Sequence, residues 1–342
     1  MYKRLLSLAT MIIGLTLISC PALAASSFYE GKTIRIIVGY SAGGGYDTYA
    51  RVISRHMGKH IPGNPTIIVE NMTGAGSLIS ANHLYKVAKP DGLTIGHFNG
   101  GLFFNQVLGQ PGIEFDARKF EFIGAAVKEE VAYAFTKASG ITSIEKWMAS
   151  KTPVKMGGVG PGAFAPDNVI RIVKVALGLP IQLISGYKGT ADIRLACESG
   201  ELAGTSWGWD SMRATWRKAL EAGDVVVVMQ GVPKPFPDLP KVPLAINFAK
   251  TDEARQLIEV GIHSPSIFAR PFVLPPGTPN ERVEILSKTL QETLKDKGFL
   301  AETEKAKLDL NPVTGEELEK AVAKIFKLDS AMLSKLNEIL FK

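Results

Sequence analysis

The chain has 342 residues, 46% hydrophobic and 21% charged, with a net charge of +6 and two cysteines. That length and apolar content fit about two globular domains with substantial cores and exclude an intrinsically disordered chain. Two cysteines exclude a disulfide framework and a four-cysteine zinc site, and a mildly basic balance selects no partner by itself.

The first residues read as an export signal. Lys3 and Arg4 precede an apolar run from Leu5 to Ile18, and Ala22-Leu23-Ala24 is a small-x-small cleavage site. Residues 1–24 are therefore assigned to a signal peptide and the protein to the periplasm. A lipoprotein reading of Leu17 to Cys20 is the minor alternative, weakened by Pro21. Cleavage removes two basic and no acidic residues, so the charge falls from +6 to +4. Cys197 is then the only cysteine, on the inner face of a helical pattern, and reads as a buried inert thiol.

The mature chain repeats one unit: an apolar strand, a glycine-rich loop, a helix. Thr33 to Tyr40 is β-branched and apolar, then Ser41-Ala42-Gly43-Gly44-Gly45-Tyr46 leads to a helix from Asp47 toward His60. Thr66 to Glu70 is a strand, followed by Asn71 to Ser77 and a helix to about Lys86; Thr94 to Phe98 is a third strand, followed by Asn99-Gly100-Gly101. The unit returns at Val154 to Gly158 with a helix from Asp167 to Leu177, and at Ile181 to Ile184 with a helix to Ser199. It returns again at Leu202 to Thr205, where Ser206 to Asp210 reads as a loop before a helix to about Glu221; Val225 to Gln230 is one more strand. Pro279 onward reads as about three helices. Alternating strands and helices predict mainly parallel α/β sheets, and loops at strand carboxyl ends are where such sheets bind ligands. Two groups of loops predict two sheets facing one cleft, with crossovers near Gly124–Lys128 and Ile267–Pro276.

A glycine-rich turn feeding a helix aims backbone N–H groups and the helix dipole at one point, which holds an anion without a charged side chain. Lys188 is the only basic residue in these loops, so capture by amides and hydroxyls is expected. The candidate residues are Tyr40, Ser41, Ala42, Gly43, Gly44, Gly45, Asp47, Thr73, Gly74, Ala75, Gly76, Ser77 and Asn99 in the first group. In the second they are Gly160, Gly162, Ala163, Phe164, Tyr187, Gly189, Thr190, Trp207 and Asp210. Asp47, Asp167, Asp192 and Asp210 each open a helix, and as caps or first-turn residues they need no ligand role.

Enzyme motifs are weak. Gly204-Thr205-Ser206-Trp207-Gly208 matches the nucleophile elbow of hydrolases, with His263 and Asp238 or Asp252 as partners; a secreted esterase using Ser206 is the runner-up reading. His56 and His60 share a helix face but lack a third ligand, so no metal is expected. No cofactor is expected, and scattered Lys and Arg argue against nucleic acid.

In these loops the chain resembles the tripartite tricarboxylate transporter substrate-binding proteins, the Bug family. Ile36 to Asp47, Val69-Glu70-Asn71-Met72-Thr73-Gly74-Ala75-Gly76-Ser77, Pro90-Asp91-Gly92-Leu93-Thr94, Tyr187-Lys188-Gly189 with Ser199-Gly200-Glu201, and Pro275 to Pro279 match family landmarks in order. The resemblance implies a two-lobed, type II-like periplasmic binding protein, each lobe a mainly parallel sheet flanked by helices, with the ligand cleft between. Lobe 1 would comprise 27–124 and 266–342, and lobe 2 would comprise 125–265. It further implies a non-enzymatic, monomeric receptor that closes by a hinge on a small carboxylate and delivers it to membrane transporter subunits; a sensing role shares the same fold. In that family two first-lobe loops, here Ser41–Asp47 and Gly74–Ser77, cradle one carboxylate. The family's proline before the glycines and its histidine after the second-lobe glycines are absent here. Trp207-Gly208-Trp209-Asp210 lies outside the pattern, and predicts an apolar or aromatic ligand body toward Phe164, Trp207 and Trp209.

Overall fold

The computed structural model describes residues 28–341; the expected signal peptide, with Cys20, lies outside the described residues. Eleven strands form two sheets among these residues. The first six-stranded sheet contains β1 (Thr33–Val38), β2 (Thr66–Asn71), β3 (Thr94–His97), β4 (Glu121–Ala125), β10 (Phe272–Leu274) and β11 (Val313–Thr314). The second contains β5 (Val131–Thr136), β6 (Val154–Gly157), β7 (Ile181–Ile184), β8 (Gly204–Gly208) and β9 (Val225–Gly231).

Their orders are β11-β4-β10-β3-β1-β2 and β7-β6-β8-β5-β9. In each, one antiparallel strand is inserted beside three parallel ones: β10 next to β3, and β5 next to β8. That strand always comes from chain arriving from the other sheet. The chain crosses first at 126–130 and returns ahead of β10, so the fold is two-lobed α/β. Both sheets are mixed rather than wholly parallel.

Register brings the loops together. Val38 pairs with Asn71 and with His97, so β1, β2 and β3 end level and their glycine loops leave at one edge. Gly157 pairs with Ile184, which does the same in the second lobe. Each lobe has an aromatic core. Phe103 contacts Phe98, Phe120 and Phe122 edge-on or tilted in the first, and Trp147 packs on Tyr133 and Phe135 in the second.

Three features differ from the sequence reading. Ser206-Trp207-Gly208 is strand, not loop: β8 pairs through Trp207↔Ala132 and Gly208↔Val131, and this cross-strand pairing overrides two glycines of low strand propensity. The helix expected from Asp210 to Glu221 breaks at Trp216 into Trp209–Thr215 and Arg217–Glu221. Four helices, not three, end the chain, and the last, Ser330–Phe341, leaves the first sheet. Leu336 lies against Gly261, and Lys335 pairs with Glu253 at 3.0 Å, while Asn337 reaches back to the Leu108 carbonyl. This helix thus touches residues on both sides of the crossover before β10.

The returning segment presses on the first lobe at Gly100, whose N–H donates to the Ala269 carbonyl at 2.9 Å. A Cβ there would stand 1.7 Å from the Phe268 carbonyl oxygen. Backbone cannot swing aside as a side chain can, so Gly100→Ala should cost about 1–3 kcal/mol in urea unfolding. A cost below about 0.5 kcal/mol would show that this segment is loosely held.

Candidate ligand cleft between the lobes

Two helices, one from each lobe, point their N-termini at each other. Gly45–Met57 starts at Gly44 and Thr190–Glu198 starts at Gly189, and neither has a side-chain cap. The first-turn N–H groups of a helix have no intrahelical acceptor, and the dipole makes that end positive. The two ends touch: a Cβ on Gly44 would lie 2.8 Å from Thr190 Oγ1, and one on Gly189 would lie 2.4 Å from Ser41 Oγ. Only glycine lets the lobes approach so closely.

The remaining predicted loops also meet across the gap. Ser41 N–H donates to the Lys188 carbonyl at 3.1 Å, and Ser41 Oγ donates to Asp192 at 2.7 Å. Asn99 is the central bridge. Its Nδ2 donates to the Gly162 carbonyl at 3.1 Å, its Oδ1 accepts from Phe164 N–H at 3.2 Å and Gly101 N–H at 3.0 Å, and its own N–H donates to Ser77 Oγ at 2.8 Å. Asn105, missed in the sequence reading, adds a bond to the Gly162 carbonyl. Gly76 faces Gly160 and Ala163.

Behind these contacts lies a small chamber of about 10 Å³, room for about one water, so anything larger requires the lobes to part. Of the predicted residues, Tyr40, Gly44, Gly45, Thr190 and Trp207 line it, and Tyr46, Glu129, Ser211 and Arg270 complete the wall with Val159 and Ala165. Glu129 and Arg270 were not anticipated. Arg270 Nη2 bonds Glu129 at 2.9 Å, and Nη1 bonds Asp210 at 3.0 Å and Ser211 at 2.6 Å, with all three charged side chains at most 5% exposed. Arg270 Nε, Tyr40 Oη and Trp207 Nε1 have no protein partner.

Other predicted residues sit apart from the chamber. Ala42 and Gly43 are exposed, Thr73 and Gly74 are partly exposed, and Ala75 lies at the rim. Tyr187 bonds Glu201 on the surface. Trp209 turns away and donates to Asp238, so the expected aromatic wall is reduced to Trp207, stacked on Trp216, with Phe164 packed against Gly101. Asp47 is a loop clamp: hydrogen bonds from Arg51, Gly43 and Asn71 outweigh its burial and hold its carboxyl below the usual range. Asp167 clamps the second lobe, accepting from Val159 N–H at 2.7 Å and Gly160 N–H at 3.2 Å. Burial pushes it up to about 6 despite those bonds.

No family model matches the chain. It is 25% identical over 303 residues to a UPF0065 protein of Bordetella bronchiseptica, covering 86% of this chain and 81% of that one. It superposes on the periplasmic binding protein BugD with TM-score 0.68 at 22% identity, covering 91% of this chain and 97% of that one. The chain is similar to UPF0065 proteins and shares its fold with BugD. MatC from Rhodopseudomonas palustris with bound malate gives TM-score 0.69 at 19% identity, over 90% of this chain and 99% of that one. Another R. palustris protein, with adipate, gives 0.72 at 19%, over 90% and 97%.

In this Bug-fold protein the esterase reading lacks its geometry. Ser206 is mid-strand rather than on a turn, is fully buried, and neither its hydroxyl nor His263 Nε2 has a hydrogen-bond partner.

Two outcomes test this site. Arg270→Met leaves Glu129 and Asp210 buried without their cation and should cost about 3–5 kcal/mol in denaturant unfolding; a change under 1 kcal/mol would mean the cluster is not buried as described. Asp167 binds its proton more tightly when folded, so its stabilising contribution is full below pH 3.8 and is lost as pH rises through about 6. Asp167→Asn should flatten the stability–pH curve in that window, as read by thermal melts; an unchanged slope there would refute the shift.

Proposed function

We propose that this protein is an extracytoplasmic receptor, not an enzyme, that captures a small organic acid for a tripartite tricarboxylate-type transporter. The observation that carries the reading is the pair of uncapped helix N-termini converging on one chamber from opposite lobes. Two positive dipole ends with free first-turn amides suit a carboxylate, and they come together only when the lobes close. Malate and adipate in the two R. palustris relatives of the same fold support the class. Periplasmic location is read from the N-terminal export pattern and from the fold shared with BugD.

Closure is proposed to turn on 126–130 and the segment before β10, with 27–124 and most of the chain after 266 moving as one lobe against 125–265. The ligand-contacting set is proposed as Gly44, Gly45 and Thr190 with the walls Tyr40 and Trp207. Ser41, Gly76, Asn99, Gly160, Gly162 and Gly189 act mainly in lobe-to-lobe contact.

A thermal-shift screen of the exported protein against mono-, di- and aromatic carboxylates tests this. A ligand at 100 times its Kd should add about 2.7 kcal/mol of stability. Stabilisation by sugars alone would overturn the carboxylate reading. Gly44→Val places a branched side chain against Thr190; it should lower affinity for the best acid at least tenfold with little change in Tm. Unchanged affinity would remove the helix ends from the site.

A further inference from the structure

The charges around the chamber do not suit a dianion. Arg270 is the one cation on its wall, and both of its terminal nitrogens are committed, to Glu129 and to Asp210. The triad therefore holds one positive and two negative groups, all buried. Asp167 stands behind Val159 and Gly160 as a further acid. Asp47 and Asp192, on the two converging helices, are engaged by Arg51 and Ser41.

Glu129 is also short of donors. Its Oε2 lies 2.9 Å from Tyr46 Oη, and the same hydroxyl lies 2.8 Å from the Ala269 carbonyl. One hydroxyl proton cannot fill both acceptors. The wall thus offers a carboxylate oxygen with spare accepting capacity next to a buried surplus of negative charge, and such a charge demands a partner. On the same wall, Arg270 Nε, Tyr40 Oη and Trp207 Nε1 are donors without protein partners. The chamber asks for oxygen acceptors and a cation together.

We infer that the ligand is a short amino carboxylate, its carboxylate held by the helix ends and free donors and its ammonium taken by Glu129. The inference rests on the receptor reading above. Gly45, at the helix end, and Tyr46, whose hydroxyl reaches Glu129, are consecutive residues. One tyrosine side chain therefore spans from the carboxylate position to the cation position, which sets a short ligand.

Calorimetric titration of the exported protein with matched acids of four carbons tests this: 4-aminobutyrate, butyrate and succinate, with the three-carbon set β-alanine, propionate and malonate, and aspartate as an α-amino acid. In one of these sets the amino acid should bind at least tenfold tighter than the dicarboxylate and the plain acid, or aspartate should exceed succinate by that factor. Glu129→Gln should shrink that preference to within threefold. If in every set, aspartate against succinate included, the dicarboxylate or plain acid binds as tightly as its amino counterpart in the unaltered protein, the inference is overturned and the receptor reading stands. Retention of a tenfold preference in a folded Glu129→Gln protein also overturns it. Failure of every carboxylate overturns both; the unaltered protein decides alone if the variant does not fold.

Discussion

The buried Arg270 cluster is the constraint around which the two lobes are arranged. Arg270 lies on the returning chain just before β10, Glu129 on the outgoing crossover, and Asp210 and Ser211 open a second-lobe helix. Tyr46, from the first-lobe helix, closes the ring through Glu129 and Ala269. Removing three charges from water is costly, and only mutual pairing offsets it. The pairing forms only when both crossovers and both helices are in place, so it fixes where one lobe meets the other. It also leaves the floor of the cleft charged in a way that the glycine loops alone would not.

The loops meet that floor with almost no side chain. Gly44, Gly76, Gly160, Gly162 and Gly189 stand where an added Cβ would press on the opposite lobe or on a neighbouring side chain. The cleft is therefore built of backbone at its lips and of ion pairs at its base. This division explains why net charge was a poor guide to function. Most basic residues lie elsewhere, and the charges at the floor are a buried few, Arg270 with Glu129 and Asp210.

Much of this was legible in the sequence because it is local. A β-branched strand followed by glycines and a helix, as at Ile36–Asp47, declares its turn and its exposed amides within a dozen residues. Asn99 and Gly162 were recognisable for the same reason. Arg270 was not: its partners Asp210 and Glu129 lie 60 and 141 residues away, and nothing near Arg270 or Glu129 in the sequence marks them as a pair. The extension of β8 through Trp207 was equally hidden, since it depends on pairing with β5 rather than on the composition of Ser206–Gly208. Trp209 was misplaced with it: Trp207 keeps its place on the chamber wall, while Trp209, past the strand end, turns to Asp238.

The final helix gives the closure a property that two crossovers alone would lack. Ser330–Phe341 is rooted in the first lobe through the chain that precedes it, yet lies on the second, and Leu340 and Phe341 sit beside Ala75 and Pro161 at the rim. As the lobes part, this helix must either stay with the second lobe or peel from it. Staying breaks the Asn337–Leu108 bond and draws Leu340 and Phe341 away from Ala75 on the first-lobe side. The helix then behaves as a tether whose slack is the short stretch 326–329, and the length of those four residues caps how far the mouth can gape.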